Sequence, residues 1–203
     1  WHHIGVVKLL LIHILAFSGG FVIMSMELLG ARILARYFGS GVYVWGSIIT
    51  VFMLSLSLGY LLGGRLSVNN PSLQRFAAIF ALGAVLLYPL ILFAEPVMEF
   101  IFLRIEDPRY GSLMASAFLF ILPTVILGMI SPYSVRLLVT KVEESGQVAG
   151  TLYFVSTLGS AIGTLTTSFY FILWFEVNTV LTLLTVVLLI VAGVAILAAR
   201  RNA

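Results

Sequence analysis

The sequence predicts an all-α membrane protein, a bundle of six transmembrane helices forming a single transmembrane domain over residues 1–203. Three observations carry this. First, 61% of the residues are hydrophobic and only 9% are charged, where soluble domains carry roughly a quarter charged residues. Second, mean hydropathy is +1.15, so there are too few charges to solvate a water-exposed surface and the bilayer is the main solvent. Third, six stretches reach the length of about 20 apolar residues that a spanning helix needs. The remainder is short loops, with no room for a soluble catalytic domain.

Span one is expected over residues 8–37, interrupted by Glu27, Arg32 and Arg36. The chain begins at Trp1, and no small-residue cleavage site follows the first apolar stretch, which therefore reads as a retained span. Span two covers 43–64, with Gly63-Gly64-Arg65 closing it and Asn69-Asn70-Pro71 as a turn. Span three covers 73–93, followed by a mixed-charge stretch whose middle, 97–103, is expected to lie at the interface as a short helix. Span four covers 112–130 after an Asp107-Pro108 turn, and Ser131-Pro132 opens a further segment. Residues 143–150 read as a polar loop, span five as 151–174 and span six as 179–199. Tyr43 and Trp45 read as an aromatic belt at the headgroup level.

Lys8, Arg65, Arg75, Arg136, Lys141, Arg200 and Arg201 fall on one side of this arrangement, and Arg32, Arg36, Arg104 and Arg109 on the other. The excess of basic residues places both termini in the cytoplasm, with the prokaryotic inner membrane as the expected location. Arg65, Pro132 and Arg136 are then expected in cytoplasmic loops. Spans two and five carry small-residue faces at helical spacing, Ser55, Gly59 and Gly63 against Gly159 and Gly163. Such faces let helices approach closely. They would correspond if the bundle were two three-helix repeats of inverted topology.

Glu27 is the most informative single residue, because an ionisable group within a span costs several kcal/mol unless it is satisfied. Its helical face includes Gly20, Met24, Gly30, Ala31 and Leu34, which points it into the bundle. It lies roughly 12 to 14 Å below the outer end at 1.5 Å per residue. Thr50 of span two and Thr164, Thr167 and Ser168 of span five fall near the same depth. We therefore expect Glu27 to hydrogen-bond a hydroxyl or backbone group there, as structural glue or as a substrate or proton site. Arg32 and Arg36 share another face near the outer end, where they can snorkel to headgroups or cap a polar pocket.

No metal or cofactor is expected: His13 is the one histidine within a span, and haem ligation between spans needs paired ligands. The chain has no cysteine, so thiol chemistry is excluded. No phosphate loop or serine nucleophile motif occurs, and the dispersed basic residues exclude nucleic-acid binding.

Three ordered segments carry a family resemblance. The first runs from Glu27 and Arg32 through Phe38-Gly39-Ser40, Tyr43 and Trp45 to Leu58-Gly59-Tyr60 and Gly63-Gly64-Arg65-Leu66. The second joins Pro123-Thr124 and Gly128 to Ser131-Pro132-Tyr133 and Arg136. The third joins Gly150-Thr151-Leu152-Tyr153 to Thr157-Leu158-Gly159-Ser160 and Gly163. Together they resemble the membrane domain of spermidine synthase-like transmembrane proteins. The resemblance implies a half-major-facilitator-like membrane domain, usually followed by a cytoplasmic aminopropyltransferase-like domain that binds decarboxylated S-adenosylmethionine. This chain stops at Ala203, just after span six, and no position matches the synthase's catalytic acids. The stretch from Gly59 to Arg65 departs from the facilitator loop pattern by lacking its acidic residue and the Gly-Arg run after it.

The expected function is a membrane anchor, scaffold or partner-binding subunit in the lipid bilayer, non-catalytic by itself. Its partner would be a protein, a second copy or a soluble synthase-like domain. One alternative is a half-size transporter of a polyamine or other small solute, working as a dimer. A polyamine carries about three to four positive charges, and one intramembrane carboxyl matches them poorly. The other alternative is an accessory subunit of a larger membrane complex.

Overall fold

The computed structural model describes residues 2–201, with side chains placed for 6–200. Eight α-helices follow in order: α1 (His2–Phe38), α2 (Val42–Leu66), α3 (Leu73–Phe102), α4 (Pro108–Gly128), α5 (Ile130–Leu138), α6 (Ser145–Thr166), α7 (Ile172–Trp174) and α8 (Val177–Arg201). A 3₁₀ turn (Val142–Glu144) precedes α6, and a π-helical turn (Thr167–Phe171) joins α6 to α7. No strand occurs among the described residues. Six helical units are long and apolar enough to cross a membrane. The protein is an all-α integral membrane bundle.

Several boundaries differ from the sequence reading, each for a local reason. The expected interfacial helix over 97–103 is the end of α3, which runs unbroken through Pro89 and Pro96. A proline inside a helix forfeits one backbone bond. Here tertiary packing outweighs that loss: Met98 and Ile101 are buried, and Phe102 meets Tyr37 and Phe38 edge-to-face at 6.0 and 5.8 Å. The Asp107-Pro108 turn is a helix start, with Asp107 as N-cap and Pro108 in the first turn. The polar loop over 143–150 is largely the first turns of α6. Pro132 and Arg136 stand in α5 and Arg65 in the last turn of α2, so none of the three is in a loop. Pro132 is tolerated because it lies in the first turn, whose N–H groups have no intrahelical acceptor.

The bundle is built from three dominant helix pairs: α2 on α4, α1 on α6 and α3 on α8. This set is unchanged when the first three spans are exchanged with the last three. Span one trades with four, two with five and three with six, each pair running in opposite directions. That is the arrangement of two inverted three-helix repeats. The core lies where α1, α3 and α4 converge. Tyr133 of α5 stacks on Phe76 of α3 at 5.6 Å. Its hydroxyl accepts from the Ser72 N–H at 3.1 Å, fixing the start of α3.

Candidate functional site: a polar cleft between α2 and α6

Four glycines set the depth of the bundle. An added Cβ at Gly59 would fall 2.8 Å from Gly128 Cα, and at Gly63 it would fall 2.7 Å from Met129 Cα. At Gly159 it would fall 2.9 Å from the Phe17 carbonyl carbon, and at Gly163 2.6 Å from the Phe21 carbonyl oxygen. The obstacles are backbone in every case, so α2–α4 and α6–α1 touch without intervening side chains. Gly20 and Gly128 supply the opposite halves of these contacts. Ser55, on the same face of α2, is buried, and its hydroxyl has no hydrogen-bond partner.

Because α2 is drawn onto α4 and α6 onto α1, the two outer helices contact each other little. Between them lies a cavity of about 400 Å³ lined by Tyr60, Ser131, Pro132, Tyr153, Ser156, Thr157 and Ser160. Six of these seven side chains carry a hydroxyl. Span five is the least buried of the six spans, and Tyr60, Tyr153 and Thr157 are exposed. Glu27 stands on α1 two helical turns beyond Gly20 toward the C-terminal end of the helix, on the same helical face, and is half-buried. Gly20 itself packs on Ser156 and Ser160.

The expected hydrogen bond of Glu27 does not form. Among the described residues its carboxyl has no hydrogen-bond or ion-pair partner. The hydroxyls expected to serve it are committed elsewhere. Thr164 Oγ1 donates to the Ser160 carbonyl at 2.9 Å, and Ser168 Oγ to the Thr164 carbonyl at 2.6 Å. Thr167 Oγ1 donates to Ser25 Oγ at 2.9 Å, both groups being buried. Thr50 is exposed on α2. For Thr164 and Ser168 the physical reason is local: a Ser or Thr within a helix reaches its own i−4 carbonyl without ordering a second helix. Equal depth therefore did not bring these groups together.

Arg32 and Arg36 are also engaged. Arg32 donates to the Ile172 carbonyl at 2.5 Å. That carbonyl belongs to the last turn of span five, where no intrahelical N–H remains for it. Sequence reasoning missed this cap, because α7 ends without a glycine or basic residue of its own and the donor comes from a helix 140 positions away. Arg36 lies 3.7 Å from Glu95 in an exposed pair. Arg109 pairs with Asp107 at 2.7 Å outside the membrane-spanning core, and the Arg109 side chain and N–H hold the Asp107 carboxyl below the usual aspartate range. His13 bonds the Leu9 carbonyl of its own helix at 2.7 Å. No cluster of three metal-ligating side chains occurs among the described residues.

Comparison with known proteins finds no matching protein family, no matching characterised protein and no matching solved structure.

Proposed function

We propose that this chain is a membrane-embedded partner-binding module whose α2–α6 cleft receives a second six-helix unit, in the simplest case a second copy of itself. The observation that supports this is the cleft: six hydroxyl-bearing side chains lie between α2 and α6 on a face that the chain's own helices leave open. Polar groups facing lipid carry a desolvation cost, and docking a partner there removes it. The inverted three-plus-three arrangement is the one found in each six-helix half of major facilitators, which favours a half-size unit. The same arrangement fits the resemblance to the membrane domain of spermidine synthase-like proteins. On that reading both termini are cytoplasmic, and a synthase-like soluble domain is the further partner.

A second reading is favoured by one observation. Glu27, two helical turns along α1 from the Gly20 that packs on the cleft-lining Ser156 and Ser160, has no internal partner among the described residues, as a residue that meets a cationic substrate or a proton would. Dimeric half-size transport of a small cation then follows from the same docking. The absence of native cysteine makes the test direct. A single cysteine at Thr157 on α6 should cross-link to a second copy in native membranes, while one at Leu189 on the exposed face of α8 should not. A chain that remains monomeric in membranes, with no Thr157→Cys adduct, would remove the docking proposal.

A further inference from the structure

We infer that the groove between α2 and α3, on the face that carries both termini, binds an anionic glycerophospholipid. Helices α2 and α3 each pack on α4 far more than on one another. The gap between them is a cavity of about 680 Å³. Its deeper wall is apolar, formed by Ala78 and Leu82 of α3 and Met129 beside α4. Its mouth carries Arg65 from the last turn of α2 and Arg75 from the first turns of α3, with Asn69 between them. No carboxylate lines it. The nearest acids on this side of the bundle by sequence, Glu143 and Glu144, precede α6, which packs on α1, and Glu144 lies 3.8 Å from Lys141. Arg75 Nη1 donates to the Asn69 carbonyl at 2.6 Å, which holds the guanidinium over the groove and leaves its other N–H groups available. Arg65 has no carboxylate partner among the described residues. Two guanidinium groups above an apolar slot match a phosphodiester above an acyl chain in both charge and polarity. A soluble phosphate would use the arginines and leave the slot empty, so the slot selects the lipid.

The test is lipid retention by the full chain, purified in mild detergent and read by native mass spectrometry after adding back phosphatidylglycerol or phosphatidylcholine. The wild type should retain phosphatidylglycerol in preference to phosphatidylcholine. Arg65→Gln and Arg75→Gln should each weaken that retention by about fivefold, the value of one basic residue near an anionic headgroup. Ala78→Phe keeps both charges but fills the slot, and it should lower retention as well. Arg75→Lys, which keeps the charge, should stay close to wild type. Equal retention of the two lipids by wild type, or undiminished phosphatidylglycerol retention in Arg65→Gln or in Ala78→Phe, overturns the inference. Displacement of the lipid by millimolar inorganic phosphate also overturns it, by showing a free-anion site. Arg65→Gln and Ala78→Phe lie on different helices and alter different properties of the groove, so misfolding of one leaves the other as a decisive test.

Discussion

Replacing Gly59 with alanine should destabilise the bundle, although alanine is the better helix former. A helix-interior glycine costs about 0.8–1 kcal/mol relative to alanine. Where the added methyl meets nothing, Gly→Ala therefore stabilises. Gly193 in α8 is such a position, with no atom within 4 Å of an added Cβ. Gly59 is the opposite. Its Cβ would fall 2.8 Å from Gly128 Cα and 3.1 Å from the Gly128 carbonyl carbon, and it would press on the Val125 carbonyl oxygen. None of these can rotate away, so α2 and α4 must separate and loosen contacts along their whole shared length. Overpacking a well-packed interior costs typically about 1–3 kcal/mol. A backbone obstacle places Gly59→Ala at the upper end, and after the propensity gain a net loss of about 2 kcal/mol remains. Gly193→Ala should gain up to about 1 kcal/mol. Equilibrium unfolding in detergent, run on both variants side by side, reads the difference. A Gly59→Ala protein as stable as wild type, beside a stabilised Gly193→Ala, would show that helix spacing here is not set by glycine.

Other perturbations test separate parts of the structure. Arg32→Ala should lower stability by about 1.5–3 kcal/mol, because it removes a charge-assisted bond and leaves the Ile172 carbonyl uncapped; Arg32→Lys should recover part of the loss in the same unfolding assay. Thr167→Val should cost about 1 kcal/mol through the stranded Ser25 hydroxyl, and the double variant with Ser25→Ala should be milder than the sum of the two singles. Asp107 has a folded-state pKa below its unfolded value, so its contribution is present above the ordinary aspartate range and is lost as pH falls through the lowered value. Acid titration of unfolding should show that loss in wild type and not in Asp107→Ala.

Much of the fold was legible because bilayer thickness imposes one length on every span, and the apolar runs of this chain have that length. The close-packing faces were legible for a similar reason: Gly59 and Gly63, and Gly159 and Gly163, repeat at one helical turn, and glycine at that spacing has few other uses within a span. The partners of Glu27 were not legible. Depth along a helix follows from counting residues, but rotation about the axis and the choice of hydrogen-bond acceptor do not. Thr164 and Ser168 sit near the expected level and still close onto their own helix. The Arg32 cap on Ile172 was hidden as well, since its acceptor directly follows a π-helical turn that the residues Thr167–Phe171 do not announce. That turn coincides with the Thr167–Ser25 bond to α1, just before α7.

The inverted repeat explains why the polar cleft lies where it does. Gly59 and Gly159, and Gly63 and Gly163, are each one hundred positions apart, and each pair occupies the same place in its own helix pair. Gly128 meets α2 at Gly59 as Gly20 meets α6 at Ser156 and Ser160. Two copies of one glycine-mediated contact therefore draw α2 and α6 to opposite flanks, and whatever lies between them is left uncovered. If this is the origin of the cleft, its polar character belongs to the cleft and Glu27 is dispensable for folding. Glu27→Gln, which replaces an unpartnered, half-buried ionisable group with a neutral one, should then leave unfolding stability unchanged or raise it. A carboxyl acting as packing glue would instead cost the energy of its lost bonds, about 1.5–3 kcal/mol for a charged group. The cross-linking yield at Thr157→Cys, measured in the same variant, then separates the two functional readings. Intact pairing with loss of cation or proton flux in sealed vesicles assigns Glu27 to transport. Impaired pairing in a stably folded chain assigns it to the docking surface, and a loss of stability matching the hydrogen-bond figure would refute the account of the cleft given by the repeat.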